Sequence, residues 1–269
     1  MTAPRVVRLR RPWLWLASTA VLATVVALAV SIWQNPHIDH AAIARHQFAP
    51  AILQGLRLTV VLALLAALIG TVLGVALAVM RLSPSPVLRL GSGLYTWLLR
   101  GTPLLVQILL WGNLGLLFQR IGPFDTNALI TPFVASVVAL GLNEAAYMAE
   151  IVRAGILSVD QGQADASLAL GMSRGLAMRR ILLPQALRVI IPPAGNQFIS
   201  LLKATSLVSV IAGGDLLTAA ENISSANLKT IELMLVATFW YLVLTTITSL
   251  GQYLVERRLG RAGTGLRGA

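Results

Sequence analysis

The chain has 269 residues, of which 57% are hydrophobic and only 12% charged, and its mean hydropathy is +0.78. Ordinary soluble domains carry roughly 25% charged residues. Several apolar runs here reach the roughly 20 residues that a membrane helix needs. A soluble protein with one large core is therefore strongly disfavoured, and a polytopic integral membrane protein is predicted. The sequence has no cysteine, which excludes disulfides and thiolate metal sites.

The net charge of +11 arises from 21 basic and 10 acidic residues and raises the question of nucleic-acid binding. The distribution of these charges, given below, favours a signal of membrane orientation, so no nucleic-acid partner is predicted. His37, His40 and His46 lie in one short segment. They lack the regular ligand spacing of a helical metal site, so a solvated loop is favoured and no metal site is predicted.

The first apolar run covers residues 13–33 and follows a basic N-terminus, residues 1–12. A cleaved signal peptide would have an apolar core of about 7–15 residues and a small-residue cleavage site. Here the core is longer, and Asn35-Pro36 follows it. An uncleaved membrane anchor is predicted, followed by an external loop over residues 34–51.

Five further apolar runs form a predicted five-helix membrane core over residues 52–255. The predicted spans are residues 52–80, 94–118, 130–151, 189–212 and 231–255. A tail, residues 256–269, follows them. The runs are continuous rather than alternating, which disfavours a β-barrel. The predicted fold class is an all-α membrane protein of about six transmembrane helices.

The basic residues outside these spans fall mostly on one side of the predicted topology. That side holds Arg5, Arg8, Arg10, Arg11, Arg81, Arg89, Arg100, Arg153, Arg174, Arg179, Arg180, Arg188, Arg257, Arg258, Arg261 and Arg267. The opposite side holds Arg45, Arg120 and Lys229. By the positive-inside rule, both termini and the loop over residues 153–188 are predicted to be cytoplasmic.

This cytoplasmic loop, between the fourth and fifth predicted helices, has the signals of two short helices. Ser158 or Asp160 can cap the first, whose first turn is predicted to carry Asp165 near the positive end of the dipole. Gly171 is typical of the position just past a helix end, and Ser173 can cap the second helix. Two interpretations stay open: a self-packed hairpin on the membrane surface, or an apolar knob for a partner's groove.

The spacing of residues in this loop resembles the EAA loop of ATP-binding-cassette importer permeases. The matched positions are Asp165, Ala166, Ser167, Gly171, Ile181, Leu183 and Pro184, and the predicted coupling set also includes Leu168 and Met172. Asp165 and Ser167 depart from the usual Glu and Ala, but they keep an acid and a small side chain. The resemblance implies that these residues couple the chain to an ATPase subunit.

Other segments resemble the class of such permeases that carries polar amino acids. They are residues 100–107, 141–147, 149–151 and 202–207. The resemblance implies two permease chains, identical or sister, in a multi-pass assembly of the inner membrane. It also implies a dimer of ATPase subunits and an external solute-binding protein that delivers the amino-acid substrate.

Nucleotide binding by this chain is not predicted, because a P-loop needs a glycine-rich turn that ends in Gly-Lys-Ser/Thr. Neither Lys203, after Leu202, nor Lys229, after Leu228, fits that pattern. No cofactor is therefore expected in this chain. ATP and magnesium would be bound by the partner ATPase, and the chain itself would be a transport subunit rather than an enzyme.

Polar and ionisable residues within the spans are candidates for the substrate pathway, because charges in a membrane rarely face lipid. Glu144 lies beside Asn143, and Asn196 and Lys203 are separated by about two helical turns. A Glu and a Lys facing one aqueous path could receive a zwitterion. A buried Glu144–Lys203 pair that fixes helix packing is an equal alternative. Glu232 is the other acid predicted near or within a span, apart from acids at span ends.

Three other functions are weighed against an amino-acid importer permease. An importer permease for an opine or a sulfur compound would carry the same loop. An ion-coupled secondary transporter would show inverted repeats and coupling acids, and no such repeat is evident. An intramembrane enzyme would need a Ser/His or His-rich motif within a span, which the predicted spans lack.

Overall fold

The computed structural model describes residues 12–264, and nearly all of this backbone is helical. The α-helices are α1 (Pro12–Trp33), α2 (His40–His46), α3 (Pro50–Leu82), α4 (Pro86–Gly101), α5 (Leu104–Gly112), α6 (Leu114–Leu117), α7 (Thr126–Leu129), α8 (Pro132–Leu157), α9 (Gln161–Ala169), α10 (Arg174–Ala177), α11 (Leu183–Ala204), α12 (Leu216–Asn227) and α13 (Thr230–Thr264). A π-helical turn (Met178–Leu182) precedes α11, and a 3-10 helix (Thr205–Ile211) follows it. Strands β1 (Arg120–Ile121) and β2 (Phe124–Asp125) form a minimal antiparallel hairpin. The predicted helical fold is confirmed.

Residues 1–11, most of the predicted basic N-terminus, and residues 265–269, the end of the predicted tail, lie outside the described residues. The predicted first apolar helix is confirmed as a helix, α1. Its membrane orientation stays a prediction.

The centre of the fold is the packing of α3 against α8. The face of α3 that packs inward is a stripe of small residues with a few larger ones, namely Gly55, Thr59, Leu62, Ala63, Ala66, Gly70, Gly74 and Ala78. The opposite face exposes Leu68 and Val72, each 62% accessible. Small residues let helices approach closely within a membrane, where lipid-facing leucines gain nothing by burial in protein. This explains why the apolar side chains of α3 point outward and its glycines inward.

Three described helices are long and apolar enough to cross a membrane: Pro50–Leu82, Pro132–Leu157 and Thr230–Leu259. The number rises to four if Arg174–Ile211 and Leu216–Asn227, which are inclined at 42°, count as one broken span. The predicted number of about six and the orientation of the termini stay predictions.

The predicted single span over residues 94–118 is wrong, because the chain breaks there into α4, α5 and α6. Thr102 is extended (φ −111°, ψ 144°) between α4 and α5. Pro103, which follows, lacks a backbone N–H and disfavours helical geometry in the residue before it. Helix α4 therefore ends completely at Gly101, and α5 begins at Leu104.

The chain also breaks after the predicted fifth span, and the helix that follows, α12, was not predicted. Ala212 adopts a left-handed conformation (φ 53°), and Gly214 follows with φ 87°. Helix α12 then begins at Leu216. Helix α12 is too short, and its sequence too polar, to be recognised as a membrane span.

A buried carboxylate, Asp215, lies at the end of this break and caps α12. Its side chain is fully inaccessible and accepts hydrogen bonds from the amides of Leu217 and Thr218. The Tyr241 hydroxyl of α13 donates to it at 3.1 Å, and the Thr218 hydroxyl also donates to it. The prediction that Glu144 and Glu232 were the acids near or within spans therefore omitted Asp215, which caps α12 and is buried there.

Helix α2 covers the end of α13 that is predicted to be external. Asp39 caps α2 by accepting from the Ala42 amide at 3.0 Å, and it pairs with Lys229 at 3.2 Å. The hydrogen bond from Ala42, more than the ammonium of Lys229, lowers the pKa of Asp39 below its ordinary value. The Trp240 indole donates to the Gln47 carbonyl at 2.8 Å. These contacts fix α2 over the apolar cluster that joins α3, α12 and α13.

Candidate functional sites

The loop between α8 and α11 is built from two short helices joined by a defined turn. Asp160, one of the two predicted caps, accepts from the Gly162 amide at 2.7 Å and starts α9. At the other end of α9, the amide of Gly171 donates to the Leu168 carbonyl and that of Met172 to the Ser167 carbonyl. This pair of bonds is a Schellman motif, which requires a left-handed residue just past the helix. Gly171 supplies it with φ 79°.

The second half of the loop leads directly into α11. Ser173 caps α10 by accepting from the Leu176 amide at 3.3 Å, as predicted. The π-helical turn follows α10 and continues into α11, whose first turn contains Pro184. The first short helix, the glycine turn and the start of the second helix at Ser173 are therefore confirmed as local structure, whereas the second helix is continuous with α11 rather than short.

The residues assigned to coupling divide into exposed and supporting positions. Ser167 is buried, and its hydroxyl donates to the Gln163 carbonyl at 2.6 Å. The half-buried positions are Met172 and Ile181. The exposed positions are Asp165, Ala166, Leu168, Gly171, Leu183 and Pro184. The prediction that Asp165 lies in the first turn is wrong, because α9 begins at Gln161 and Asp165 lies in its middle.

The loop also exposes apolar side chains to a degree that self-packing does not explain. Leu170 is 83% accessible, and Leu168 and Leu176 are 42% and 40% accessible. An exposed cluster of this kind marks an interaction surface more often than a solvated loop. The geometry therefore favours the predicted knob over the predicted self-packed hairpin.

A second site lies between α4, α8 and α11, around Glu144. Its side chain is only 2% accessible, and Oε2 accepts from the Gln197 amide nitrogen at 3.0 Å. Two cavities adjoin it, of about 490 and 690 Å³, and both are lined by Arg100, Tyr147, Gln197 and Ser200. Glu144 lines the smaller cavity.

Asn143 is turned toward the α4–α5 break. Its amide nitrogen donates to the Leu99 carbonyl at 3.0 Å and to Gln107 Oε1 at 3.2 Å. Gln107 in turn donates to Leu99 and to the carbonyl and hydroxyl of Thr102. These side chains satisfy carbonyls that the break leaves without helical partners. Asn143 lines the smaller cavity at the same time.

The remaining two pathway candidates lie apart from Glu144. Asn196 is exposed, lines the larger cavity and accepts from Gln252 at 3.1 Å. Lys203 is exposed and is not among the described residues that line either cavity. The alternative of a buried Glu144–Lys203 pair is wrong, because the partner of Glu144 is Gln197.

Sequence reasoning missed Arg100 and Gln197. Arg100 was counted as a charge in a cytoplasmic link, but its guanidinium lies over the Tyr147 ring, 5.2 Å from the centroid. No described carboxylate pairs with it. The signal that could have found it is its position next to the Gly101-Thr102-Pro103 break, since irregular backbone at membrane depth is tolerated where it lines a cavity.

The position of Glu144 depends on Gly70 of α3. A Cβ atom at Gly70 would lie 2.4 Å from Glu144 Cγ and 2.6 Å from its Cβ. We expect Gly70→Ala to lower the stability of the purified protein by about 1–3 kcal/mol, the usual cost of overpacking. Thermal unfolding in detergent measures this. Gly91→Ala is the matched control, since a Cβ there would meet nothing within 4 Å; equal melting of the two variants would contradict the assignment.

The comparisons with known proteins bear on both sites. The family described as "Binding-protein-dependent transport system inner membrane component" matches residues 70–261, which include the loop and the Glu144 region. The chain belongs to this family. The protein is thus an inner-membrane permease component of a transport system and not an enzyme.

Individual relatives agree with this assignment. The permease is 42% identical over 262 residues to the "Arginine transport system permease protein ArgU" of Corynebacterium glutamicum, covering 95% of this chain and 83% of that protein. It is 38% identical to the "L-cystine transport system permease protein TcyB" of Bacillus subtilis, covering 81% and 91%. The expected resemblance to amino-acid permeases is confirmed.

A solved structure also resembles the permease. The "amino acid ABC transporter with histidines" matches it with a TM-score of 0.74 and 38% identity, covering 82% of this chain and 99% of that one. Both structures therefore share the permease fold.

The described residues contain no group of three or more His, Cys, Asp or Glu side chains that could hold a metal ion. Two of the three clustered histidines have other contacts. The ring of His40 lies 4.5 Å from that of Trp33, and His46 Nδ1 contacts the Ala42 carbonyl at 2.8 Å.

Proposed function

We propose that this permease moves polar amino acids inward, driven by ATP hydrolysis in a separate ATPase subunit that contacts residues 153–188. The observation that carries the proposal is the exposed apolar surface of α9 and α10, held in place by the Schellman turn at Gly171. A rigid projection of this kind can transmit a displacement, whereas a flexible loop would absorb it. The binding site for ATP and magnesium belongs to the ATPase dimer.

The coupling contact in this proposal is made by the exposed members of the predicted set. Leu168 and Leu183 supply apolar area, and Asp165 supplies a charge at the surface of α9. Ser167 and Met172 support them from within. Gly171 and Pro184 set the directions in which α9 and α11 leave the turn.

The translocation path in this proposal is the groove formed by the two cavities beside Glu144. Glu144 faces the smaller cavity without a described basic partner, and Arg100 lines the same cavity without a carboxylate partner. An amino acid carries an ammonium and a carboxylate that match these two charges. Asn143 and Asn196 add polar lining, and Arg100 replaces Lys203 as the proposed cationic contact.

The groove is open on one side, and a second permease chain, identical or sister, would complete it. Both termini and residues 153–188 face the cytoplasm in this proposal, and residues 34–51 and the α12–α13 turn face outward. The division into a basic N-terminus (1–12), a first transmembrane helix (13–33), a core (52–255) and a tail (256–269) follows the same topology. An external solute-binding protein would deliver the substrate to the outer side.

A second candidate substrate class, small sulfur compounds, is favoured by the similarity to an L-cystine permease. Both classes present an ammonium and a carboxylate when the compound is an amino acid. The same charges beside the groove would therefore serve both.

Reconstitution tests the proposed function. Proteoliposomes containing the permease and its ATPase are expected to accumulate labelled arginine or cystine only with enclosed ATP and the external binding protein. An ATPase subunit whose P-loop lysine is changed to alanine is the control, and it should abolish uptake. Uptake driven by an ion gradient without the ATPase would instead identify a secondary transporter.

A further inference from the structure

The stretch between Asp165 and Asp215 contains no acidic residue but several basic ones. These are Arg174, Arg179, Arg180, Arg188 and Lys203. The positive-inside rule explains the sign of charges close to a span. It accounts for the sign of the three arginines within the projecting loop, but not for what their side chains contact.

Arg174, Arg179 and Arg180 are exposed and are not in any ion pair with a described residue. Arg153, in contrast, pairs with Glu150 at 2.8 Å. The loop therefore presents arginines whose charge is not neutralised within the described part of the chain. Such charges are available to a partner.

These arginines flank the exposed apolar residues of the same segment. Leu176 lies between Arg174 and Arg179 and is 40% accessible, and Met178 is 39% accessible. Arg179 and Arg180 belong to the π-helical turn, an irregularity that often marks functional sites. An apolar centre bordered by arginine is the usual composition of a protein interface.

We propose that Arg174, Arg179 and Arg180 form a basic rim that docks against carboxylates bordering the groove of the ATPase subunit. The inference rests on the proposed coupling function and adds the chemistry of the partner surface. The apolar residues fill the groove of the ATPase subunit. The arginines raise the association rate and favour an ATPase whose groove is bordered by carboxylates. Rim charges act mainly in this way, through association rate and specificity.

Anionic lipid headgroups are the competing partner for exposed arginines. A headgroup contact is expected for arginines in the part of a helix that directly adjoins its membrane span. Arg188 of α11 lies in such a position. The three rim arginines lie at the start of the same continuous helical run, where α10 and the π-helical turn pack against α9 among apolar residues assigned to the ATPase contact. A protein surface is therefore the favoured partner.

The test measures binding of the purified ATPase subunit to the full-length permease in detergent, at low and high salt. For the unchanged permease, we expect the association rate to fall about tenfold from about 50 to about 300 mM salt, because salt screens the contact. In the double variant Arg179→Gln/Arg180→Gln, we expect a rate about five- to tenfold lower at low salt and nearly independent of salt. Arg188→Gln is the matched control and should behave like the unchanged permease.

Several results would overturn the proposal. Salt-insensitive binding of the unchanged permease would exclude an electrostatic rim, and equal losses in Arg188→Gln would indicate a general charge effect. Salt dependence that appears only in nanodiscs with anionic lipid, and not in detergent or neutral lipid, would assign the arginines to headgroups. Gly171→Val separates failure of the basic rim from failure of the underlying coupling function. This variant should weaken binding of the ATPase subunit at both salt concentrations.

Discussion

Replacing Gly171 by valine is expected to leave the permease inserted in the membrane but to reduce ATP-driven uptake by about tenfold or more. The left-handed conformation costs an L-residue about 1–2 kcal/mol and a β-branched one more, and about 1.4 kcal/mol corresponds to a factor of ten. Gly171 has φ 79°, and a Cβ atom there would meet nothing within 4 Å. The expected effect therefore arises from the backbone and not from a clash. Co-purification of the ATPase and uptake in proteoliposomes measure it.

Two variants separate backbone strain from the mere addition of a side chain. Gly175 lies in α10 of the same loop and is equally open, but its φ is not left-handed. Gly175→Val should therefore retain most ATPase binding. Gly171→Asn should also retain most of it, because asparagine tolerates the left-handed region. Normal binding and uptake in Gly171→Val would remove the coupling assignment.

Replacing Glu144 by glutamine is expected to reduce uptake of cationic and zwitterionic amino acids at limiting substrate by about 10–100-fold. This range corresponds to the loss of one charged contact worth about 1.5–3 kcal/mol. Glutamine has nearly the same shape and keeps an oxygen that can accept from Gln197. Folding and ATPase binding should therefore be unchanged, and initial uptake rates against substrate concentration measure the effect.

Glu221→Gln is the control for a change of charge alone. Glu221 lies exposed on α12 and is not among the described residues that line the two cavities beside Glu144. It should leave uptake unchanged. If Glu144→Gln transports normally at limiting substrate, the charge of Glu144 does not contribute to substrate binding. Glu144 then has a structural role through its hydrogen bond with Gln197.

The loop over residues 153–188 shows how far local sequence can determine structure. Asp160, Gly171 and Ser173 act within three residues of their own positions, through helix caps and one left-handed turn. Such signals need no information about the rest of the fold, so they were predicted. The position of Asp165 was wrong because a cap at Asp160 already places this residue five positions into α9, past the first turn.

The groove shows the opposite case. Glu144 was found because an acid in a span is conspicuous, but its partner could not be read from spacing along one helix. Lys203 and Gln197 lie on the same helix, α11, and only the packing of α11 against α8 decides which one reaches Glu144. Arg100 was counted only as a charge of a cytoplasmic link, because its place beside the cavity depends on the break at Pro103 that ends α4 there.

The sequence by itself determined that this is a helical membrane protein, and it placed the helix caps and the glycine turn of the loop over residues 153–188. Composition, charge asymmetry and short-range capping signals depend only on residue type and local spacing. They can therefore be read without the tertiary structure. The tertiary structure decided where spans break, that Asp215 is buried and which charges share a cavity. Those outcomes depend on close approach between distant helices, as where Gly70 makes room for Glu144, and no local pattern encodes that approach.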